Sequence, residues 1–280
     1  SVRAQVRKSS VPSRSGAPRA LMDLGDENRV VPGLDCWVVP ALGRTLGIDD
    51  PHTFQRSLEQ NYPSTGEDDN ITWATAQWVE GSNVALRYRG HALKREKMWF
   101  QLHDPAKTKQ FLRYLYTGWQ WKVLPATSGV EHVAELAPVV EKLNVWCAQQ
   151  GYKATNHFIV TRYRTGNHNI GAHFDKPSSI EAGSLIVVLK LGEVGRPFKL
   201  EWLDGSVIFE RVLQPGSAVV MTLEANLRTR HSVPACDAST GNSGSLVART
   251  IKDVVDWAEV EKKIGAAEAK KVSKKRLRSN

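Results

Sequence analysis

The chain has 280 residues, of which 41% are hydrophobic and 24% charged, and a net charge of +9. This length predicts one or two domains, and no apolar run approaches the ~18 residues that a transmembrane helix needs. Three distant cysteines exclude a disulfide framework and a CxxC zinc site. The N-terminus lacks the hydrophobic core of a signal peptide, so we expect a nuclear or cytoplasmic protein that is neither secreted nor membrane-bound.

The positive charge is concentrated at the two ends. Residues 1–19 contain five basic and no acidic side chains, and residues 262–280 contain eight basic side chains and one acidic. Residues 20–261 therefore have a net charge of −3. Basic tails can bind nucleic acid, act as a nuclear localisation signal or only increase solubility, and KKVSKKRLR is compatible with each of these roles.

The N-terminal segment is rich in Ser, Pro, Arg and Gly, a composition that predicts a disordered basic tail over 1–33. Globular composition follows, with the apolar stretch CWVVPAL and a helical pattern in HTFQRSLEQ. The segment EHVAELAPVVEKLNVWCAQQG has apolar residues at helical spacing and a glycine at its end. It predicts one amphipathic helix, with Pro138 as a kink or a late start.

Short β-branched runs follow this helix. They are NHFIVTRY, GSLIVVLKLG, RPFKLEWLDG, SVIFERVLQPG, SAVVMTL and GSLVARTIKDVV, separated by Gly, Pro and Asp-Gly turns. Six short strands within about 100 residues predict a sandwich or a barrel-like roll. The Ala-, Glu- and Lys-rich residues 257–280 predict a basic C-terminal helix or tail.

Three metal-ligand side chains occur in the strand-rich half. His173 and Asp175 stand two residues apart at the end of a predicted strand, so their side chains point to the same side. His231 follows 58 residues after His173, where a later strand of the same roll can bring it alongside. Two imidazoles and one carboxylate on one face of an octahedral metal form the facial triad of non-haem Fe(II) oxygenases. The alternative is that these are structural residues. The other histidines have no assigned role: His52, His91, His103, His132, His157 and His168.

The segment RYRTGNHNIGAHFD resembles the RY-x-x-G-x-x-x-IG-x-H-x-D core of the AlkB-like dioxygenases, which use Fe(II), 2-oxoglutarate and O2. LRYLYTGW, SLIVVLKLGEVGRPFKL, LQPGSAVVMTLEANLRTRHSVP and SLVARTI are similar to further family elements in the same order. The resemblance covers residues 34–256. It implies an α+β fold with flanking helices, a double-stranded β-helix (jelly-roll) core over about 155–252, and a substrate-lid part over about 85–125.

The resemblance also implies roles for single residues. His173, Asp175 and His231 correspond to the metal ligands of the family. Arg249 matches the second arginine of its R-x-N-x-T-x-R signature, and a guanidinium can bind a carboxylate through two parallel hydrogen bonds. Tyr163 matches the tyrosine whose hydroxyl contacts the keto acid. The alternatives are a surface strand arginine and a core tyrosine.

The expected cosubstrate pocket departs from the family pattern. Thr161 stands where the family has an asparagine, and it keeps a hydroxyl but lacks the amide's paired donor and acceptor. Ser243 stands at the first arginine of the signature, and Ser245 and Val247 replace its Asn and Thr. Three consequences are compatible with these changes: weaker binding of 2-oxoglutarate, an arginine placed elsewhere in the pocket, or a different reductant in place of 2-oxoglutarate. We favour 2-oxoglutarate as the cosubstrate.

Most members of the resembled family act on methylated bases in DNA or RNA. The resemblance therefore implies a nucleic-acid partner and a base that enters the site flipped out or single-stranded. His173 is expected to stack on one face of that base, and an aromatic residue from 99–121 on the other. The candidate substrate-binding residues are Tyr116, Trp119, Trp99, Arg87, Arg89 and Arg95. The three arginines belong to a basic and aromatic cluster, whose other members are Tyr88, Lys94, Lys97 and Trp99. This cluster predicts phosphate contacts or, alternatively, a solvated edge strand.

Three classes of function follow from these patterns. The favoured one is a nucleic-acid oxygenase that demethylates or hydroxylates a methylated base. The second is a protein or small-molecule hydroxylase on the same fold, which the −3 charge of residues 20–261 and the altered pocket would suit. The third is a non-catalytic binding module, against which an intact triad argues. A monomer is the default expectation.

Overall fold

A computed structural model describes residues 24–61, 87–88, 91–92, 95–102, 112–114, 128–130, 133–252 and 254–256. Leu24 is already buried, and Asp26–Asn28 form a 3-10 helix. Residues 24–33, which belong to the segment 1–33 that the composition predicts to be disordered, are therefore folded. The reason is that Val30 and Val31 pack against the hydrophobic core and hold this part of the chain in place.

The larger of two main sheets has seven strands. In the order in which they lie side by side, they are β1 (Cys36–Val39), β12 (Ala218–Thr222), β9 (Leu185–Gly192), β14 (Ser243–Arg249), β7 (His157–Tyr163), β4 (Glu96–Gln101) and β6 (Ser128–Gly129). Neighbouring strands are antiparallel, apart from the parallel pair β4 and β6. β9 is buried along its whole length, as its sequence, apolar apart from Lys190, indicates for a strand covered on both faces.

The smaller main sheet has four antiparallel strands. They are β11 (Val207–Leu213), β10 (Arg196–Trp202), β13 (Thr229–Val233) and β8 (Ile170–His173), in that order. Two further pairs of short strands are β2 (Arg87–Tyr88) with β3 (His91–Ala92), and β5 (Leu112–Tyr114) with β15 (Val254–Asp256).

Four α-helices accompany the sheets in the described part of the chain. They are α1 (Leu42–Thr45), α2 (Pro51–Asn61), α3 (Ala137–Gln149) and α4 (Leu223–Arg228). The predicted helix at 131–151 is α3, and of the two alternatives for Pro138 the late start is correct. Proline suits the first turn of a helix because its missing N–H has no partner there. Across the described residues, no helix combines the length and hydrophobicity needed to cross a membrane.

The core lies in two layers, one on each face of the larger sheet. On the outer face, side chains such as Phe158 and Leu189 pack with Leu143 of α3. On the inner face, Val188 packs with Phe198 of the smaller sheet. The protein is thus mostly antiparallel sheet with few helices, as the sequence predicts, and its two sheets are stacked as in a β-sandwich.

Gly192, at the end of β9, occupies a position that has no room for a side chain. Its φ is 94°, a left-handed conformation that favours glycine, and a Cβ there would lie 2.5 Å from the Cα of Ser243. A larger residue would therefore push the two strands apart at the point where Ser243 enters the sheet.

Candidate active site

Strand pairing brings the three predicted metal ligands together. His173 ends β8, and the antiparallel register of β8 and β13 sets it directly opposite His231. The centroids of the two rings are 4.4 Å apart. Asp175 follows two residues after the end of β8, and one ligand atom from each of the three side chains lies within 4.8 Å of the others. A group this compact can hold one metal ion.

Asn226 fixes the backbone of Asp175. Its Oδ1 accepts a hydrogen bond from the Asp175 N–H at 2.9 Å, and its Nδ2 donates to the Asp175 carbonyl oxygen at 2.8 Å. Asn226 is fully buried in α4, a helix that Thr222 caps by accepting a hydrogen bond from the Ala225 N–H. Because Asp175 lies beyond the last residue of β8, these bonds take the place of strand pairing. Nothing in the sequence LEANLR marks Asn226 as functional, since its role depends on a contact with a distant segment.

The three side chains have free atoms where a metal would need them. His173 Nδ1 lies 2.9 Å from the Gly171 carbonyl oxygen, which can only accept, so Nδ1 carries the proton and Nε2 is left for a metal. Asp175 Oδ2 and His231 Nδ1 are buried with no hydrogen-bond partner among the described residues. Two neutral imidazoles and one carboxylate are the donor set of the Fe(II) facial triad. The residues therefore fit Fe(II).

The surroundings set the charge of each ligand. Burial, followed by the neighbouring His231, lowers the pKa of His173 to about 3. Burial also lowers the pKa of His231. For Asp175, burial acts in the opposite direction, but the positive charge of Arg249 and the two imidazoles outweigh it and bring the pKa to about 2. The ligands are thus already deprotonated at neutral pH, as metal binding requires.

Arg249 connects the triad to the larger sheet. Its Nη1 is 3.1 Å from Asp175 Oδ1, and its Nε donates to His157 Nδ1 at 3.2 Å. His157 and Arg249 lie opposite each other on β7 and β14, and both are buried. Burial, followed by the charge of Arg249, holds the pKa of His157 well below its usual value, so the ring is neutral and Nδ1 can accept. His157, which has no assigned role in the sequence, therefore orients Arg249.

A polar band crosses the inner face of the larger sheet. The register sets Lys190 opposite Ser245, and Ser245 opposite Thr161. In the next row, Ser243 lies opposite Tyr163. Residues opposite each other on paired strands share a face, and Tyr163 packs into the core between the two sheets. All five of these buried side chains therefore belong to the inner face.

Lys190 is a buried cation without a counter-ion in this band. Its side chain is fully buried, and its Nζ has no hydrogen-bond partner within the described residues. Nζ lies 5.5 Å from the centre of the Tyr163 ring, whose hydroxyl shares a hydrogen bond with Ser245. Ser243 Oγ is likewise buried without a partner in the described part of the chain. Burial, followed by the charge of Arg196, lowers the pKa of Lys190 to about 7.

Arg196 approaches the same tyrosine from the smaller sheet. Its guanidinium carbon lies 5.3 Å from the centre of the Tyr163 ring. Its terminal nitrogens donate to four backbone carbonyl oxygens, those of Thr165, Gly166, His168 and Pro234. Arg196 therefore ties the loop before β8 to the segment after β13.

Among the described residues, basic side chains outnumber carboxylates in the cleft between the sheets. Its basic residues are Arg95, Lys97, Lys190, Arg196 and Arg249. Burial, followed by the charges of Arg95 and Arg249, holds the pKa of Lys97 well below its usual value. Within the described part of the chain, the carboxylate that faces this group is that of Asp175. Because buried charge is stable only when it is paired, the cleft is suited to an anionic ligand.

The candidate substrate-binding residues are described only in part. Arg95 is buried and donates from Nη1 to the Asn169 carbonyl oxygen at 3.3 Å, so its guanidinium points inward. Trp99 is only 4% exposed, and for Arg87 the structure describes the backbone in β2. Arg89, Lys94, Tyr116 and Trp119 lie outside the described residues. Phe174, which stands between His173 and Asp175, is 47% exposed.

We expect Lys190→Met to stabilise the protein at neutral pH. The pKa of this lysine falls from 10.5 to about 7 on folding, so between these pH values the unfolded chain binds more protons and stability rises with pH. The cost of the buried ammonium is complete below about pH 7. Methionine has a similar volume and no charge, and replacing a buried charge in this way raises the free energy of unfolding by about 1–4 kcal/mol.

Urea unfolding of both proteins across this pH range measures the effect. The gain is expected to shrink as the pH rises toward the pKa of the unfolded lysine. Lys142→Met, which changes an exposed lysine on α3, is the matched control. A variant that is less stable than the wild type at neutral pH would contradict the prediction.

No protein-family model matches the chain, and no curated protein is similar to it in sequence. Among solved structures, the chain is similar to one described as "The structure of OsALKBH1". The two are 13% identical, the match covers 78% of this chain and 97% of the other, and the TM-score is 0.43. Similarity at this level carries no functional assignment.

Proposed function

We propose that the protein is an Fe(II)- and 2-oxoglutarate-dependent dioxygenase that oxidises a methyl group on a nucleobase in DNA or RNA. The observation that carries the proposal is the convergence of His173, Asp175 and His231 beside a cleft with several buried cations. The order of the strands supports a double-stranded β-helix (jelly-roll) core, since the two histidines lie on adjacent strands of one sheet and face the other.

The metal and its cosubstrate perform the oxidation. When bound, Fe(II), 2-oxoglutarate and O2 together oxidise a C–H bond to C–OH, while the keto acid loses CO2 and becomes succinate. On an N-methyl group the hydroxylated product breaks down to formaldehyde and the bare base, whereas on a C-methyl group the hydroxymethyl stays. The protein supplies the ligands, orients the reactants and excludes bulk water.

The described residues divide these tasks among themselves. His173, Asp175 and His231 would hold the metal, and Asn226 keeps the carboxylate in register with the histidines. Arg249 stabilises the ionised Asp175 and lies where it can also attract the carboxylate next to the keto group. Thr161 and Tyr163, on the inner face of β7, would line the cosubstrate's path.

Two features support a nucleobase as the substrate. Phe174, which stands between two of the metal ligands in the sequence, exposes a flat apolar side chain, and aromatic rings of this kind stack on unpaired bases. The strand that holds His173 is at the edge of its sheet, and Gly171 and Ala172 in it are exposed. The basic segments 1–19 and 262–280 would add attraction for phosphates.

Incubation with defined oligonucleotides tests the proposal. We expect protein loaded anaerobically with Fe(II) and 2-oxoglutarate to consume the keto acid when O2 is admitted together with a methylated oligonucleotide. Mass spectrometry of a panel of methylated DNA and RNA strands then identifies the oxidised base. Unmethylated strands of the same sequence are the control, and they are expected to leave most of the keto acid unused.

Two outcomes would contradict the proposal at different levels. Turnover that is stimulated by peptides or metabolites, but by none of the oligonucleotides, would favour a protein or small-molecule hydroxylase on the same site. Absence of Fe(II) binding under anaerobic conditions would exclude an oxygenase and favour a non-catalytic binding module.

A further inference from the structure

We propose that Lys190 binds the distal carboxylate of 2-oxoglutarate, the one remote from the keto group, with the Ser243 hydroxyl as a second donor. The inference rests on the function proposed above and adds the residue that selects a dicarboxylate over a shorter or uncharged keto acid.

The starting observation is a pair of buried polar atoms. Lys190 Nζ and Ser243 Oγ are both excluded from solvent, and neither has a hydrogen-bond partner among the described residues. An amine that is buried without a partner destabilises a fold, and it is best explained when a ligand supplies the missing negative charge. A carboxylate accepts from an ammonium and a hydroxyl at the same time.

The register places these two atoms in one region of the cleft. Lys190 is opposite Ser245 on β14, two residues from Ser243, and all three share the inner face. Tyr163 on β7 lies opposite Ser243, and the centre of its ring is 5.5 Å from Lys190 Nζ.

The same strand leads from this region to the metal centre. Arg249, which contacts Asp175, is four residues beyond Ser245 on β14. At roughly 3.3 Å per residue, their Cα atoms are about 13 Å apart, and the long side chains of Arg249 and Lys190 extend into the cleft between the sheets. A dicarboxylate with its keto end at the metal and Arg249 therefore points its other end toward Lys190.

The three arginines of the cleft already have partners. Arg196 donates to four backbone carbonyl oxygens, and Arg95 donates to that of Asn169. Arg249 contacts Asp175 and His157. Where the AlkB-like signature has its first arginine, this chain has Ser243, and Lys190 lies on the neighbouring strand.

Calorimetric titration of the full chain with two keto acids tests the inference. Mn(II) replaces Fe(II) to avoid oxidation, and the ligands are 2-oxoglutarate and 2-oxopentanoate, which has a methyl group in place of the distal carboxylate. We expect Lys190→Met to weaken binding of 2-oxoglutarate by about 10- to 100-fold, as loss of a charge-assisted hydrogen bond does. Binding of 2-oxopentanoate is expected to change less than about threefold.

Two further variants separate charge from packing. Lys190→Arg keeps the positive charge and is expected to retain most of the affinity for 2-oxoglutarate, while the exposed Lys142→Met is expected to bind like the wild type. Circular dichroism and thermal unfolding check that each variant is folded.

The outcomes distinguish this inference from the proposed function. If the wild type binds 2-oxoglutarate but Lys190→Met binds it equally well, or loses both keto acids to the same extent, Lys190 is not the distal anchor. If the wild type with Mn(II) binds neither keto acid, the proposed function itself is wrong, and the inference falls with it.

Discussion

His231→Ala is expected to abolish metal binding and, with it, all consumption of 2-oxoglutarate. Removing one of three protein ligands leaves two donors, and even loss of a residue that only supports a ligand costs 10- to 100-fold in metal affinity, so we expect a loss of at least about 100-fold. Anaerobic equilibrium dialysis against Fe(II), with the bound metal measured by mass spectrometry, gives the affinity directly.

His231 is a better position for this test than Asp175. Removal of the Asp175 carboxylate would leave the buried Arg249 without its counter-ion, so a loss of metal would be confounded with a loss of stability. His231 instead packs against Phe198, with ring centroids 6.0 Å apart, and its replacement leaves no charge unpaired. His52→Ala, on α2 and away from the triad, is the matched control. Full metal occupancy in His231→Ala would show that the triad is not a metal site.

Arg249→Met is expected to weaken both the fold and the metal site. Breaking a buried ion pair by removing one partner costs about 3–5 kcal/mol, because the remaining charge stays buried. The pKa of Asp175 is then expected to rise, since burial acts without the opposing guanidinium. We expect the affinity for Fe(II) to fall by about 10- to 100-fold, as for other residues that support a metal ligand.

The pH dependence of stability identifies the cause of this loss. Asp175 has a pKa of 3.8 when unfolded and about 2 when folded, so its contribution to stability is complete above the first value and is lost as the pH falls through the second. The difference in unfolding free energy between the wild type and Arg249→Met is therefore expected to shrink in acid. Urea unfolding at several pH values measures it.

Two control variants accompany Arg249→Met. Arg249→Lys keeps the charge but not the fork that reaches both Asp175 and His157, so we expect an intermediate effect. Arg211→Met, at an exposed position of β11, is expected to change neither metal affinity nor stability. A variant Arg249→Met with unchanged acid sensitivity would contradict the proposed role of the ion pair.

Local patterns in the sequence predict six strands of the two main sheets. The runs that begin at 156, 183, 196, 206, 217 and 244 all form strands, because their β-branched side chains are placed where both faces or one face of a sheet are covered. The helix at α3 follows from its apolar spacing in the same way. The folded state of residues 24–33 does not follow from composition, since it depends on packing of Leu24, Val30 and Val31 against distant strands.

The candidate site was predictable only where chemistry and spacing coincide. His173 and Asp175 are conspicuous because a strand end places them on one side, and His231 stands out because a second imidazole completes the donor set. Asn226, His157 and Lys190 carry no such signal. Asn226 contacts Asp175, 51 positions away, and His157 contacts Arg249, 92 positions away. Lys190 is notable because its amine is buried without a hydrogen-bond partner among the described residues.

The sequence by itself was enough to predict six strands, helix α3, the candidate metal ligands and the location of most positive charge in the tails. These features follow from composition and from patterns between residues that are close in the chain. Only the tertiary structure decided which strands are neighbours, and hence that His173 faces His231 and that Lys190 shares a face with Ser245 and Tyr163. The physical reason is that antiparallel pairing joins residues far apart in the chain, and a buried charge acquires its partner, or lacks one, only when the sheets close around it.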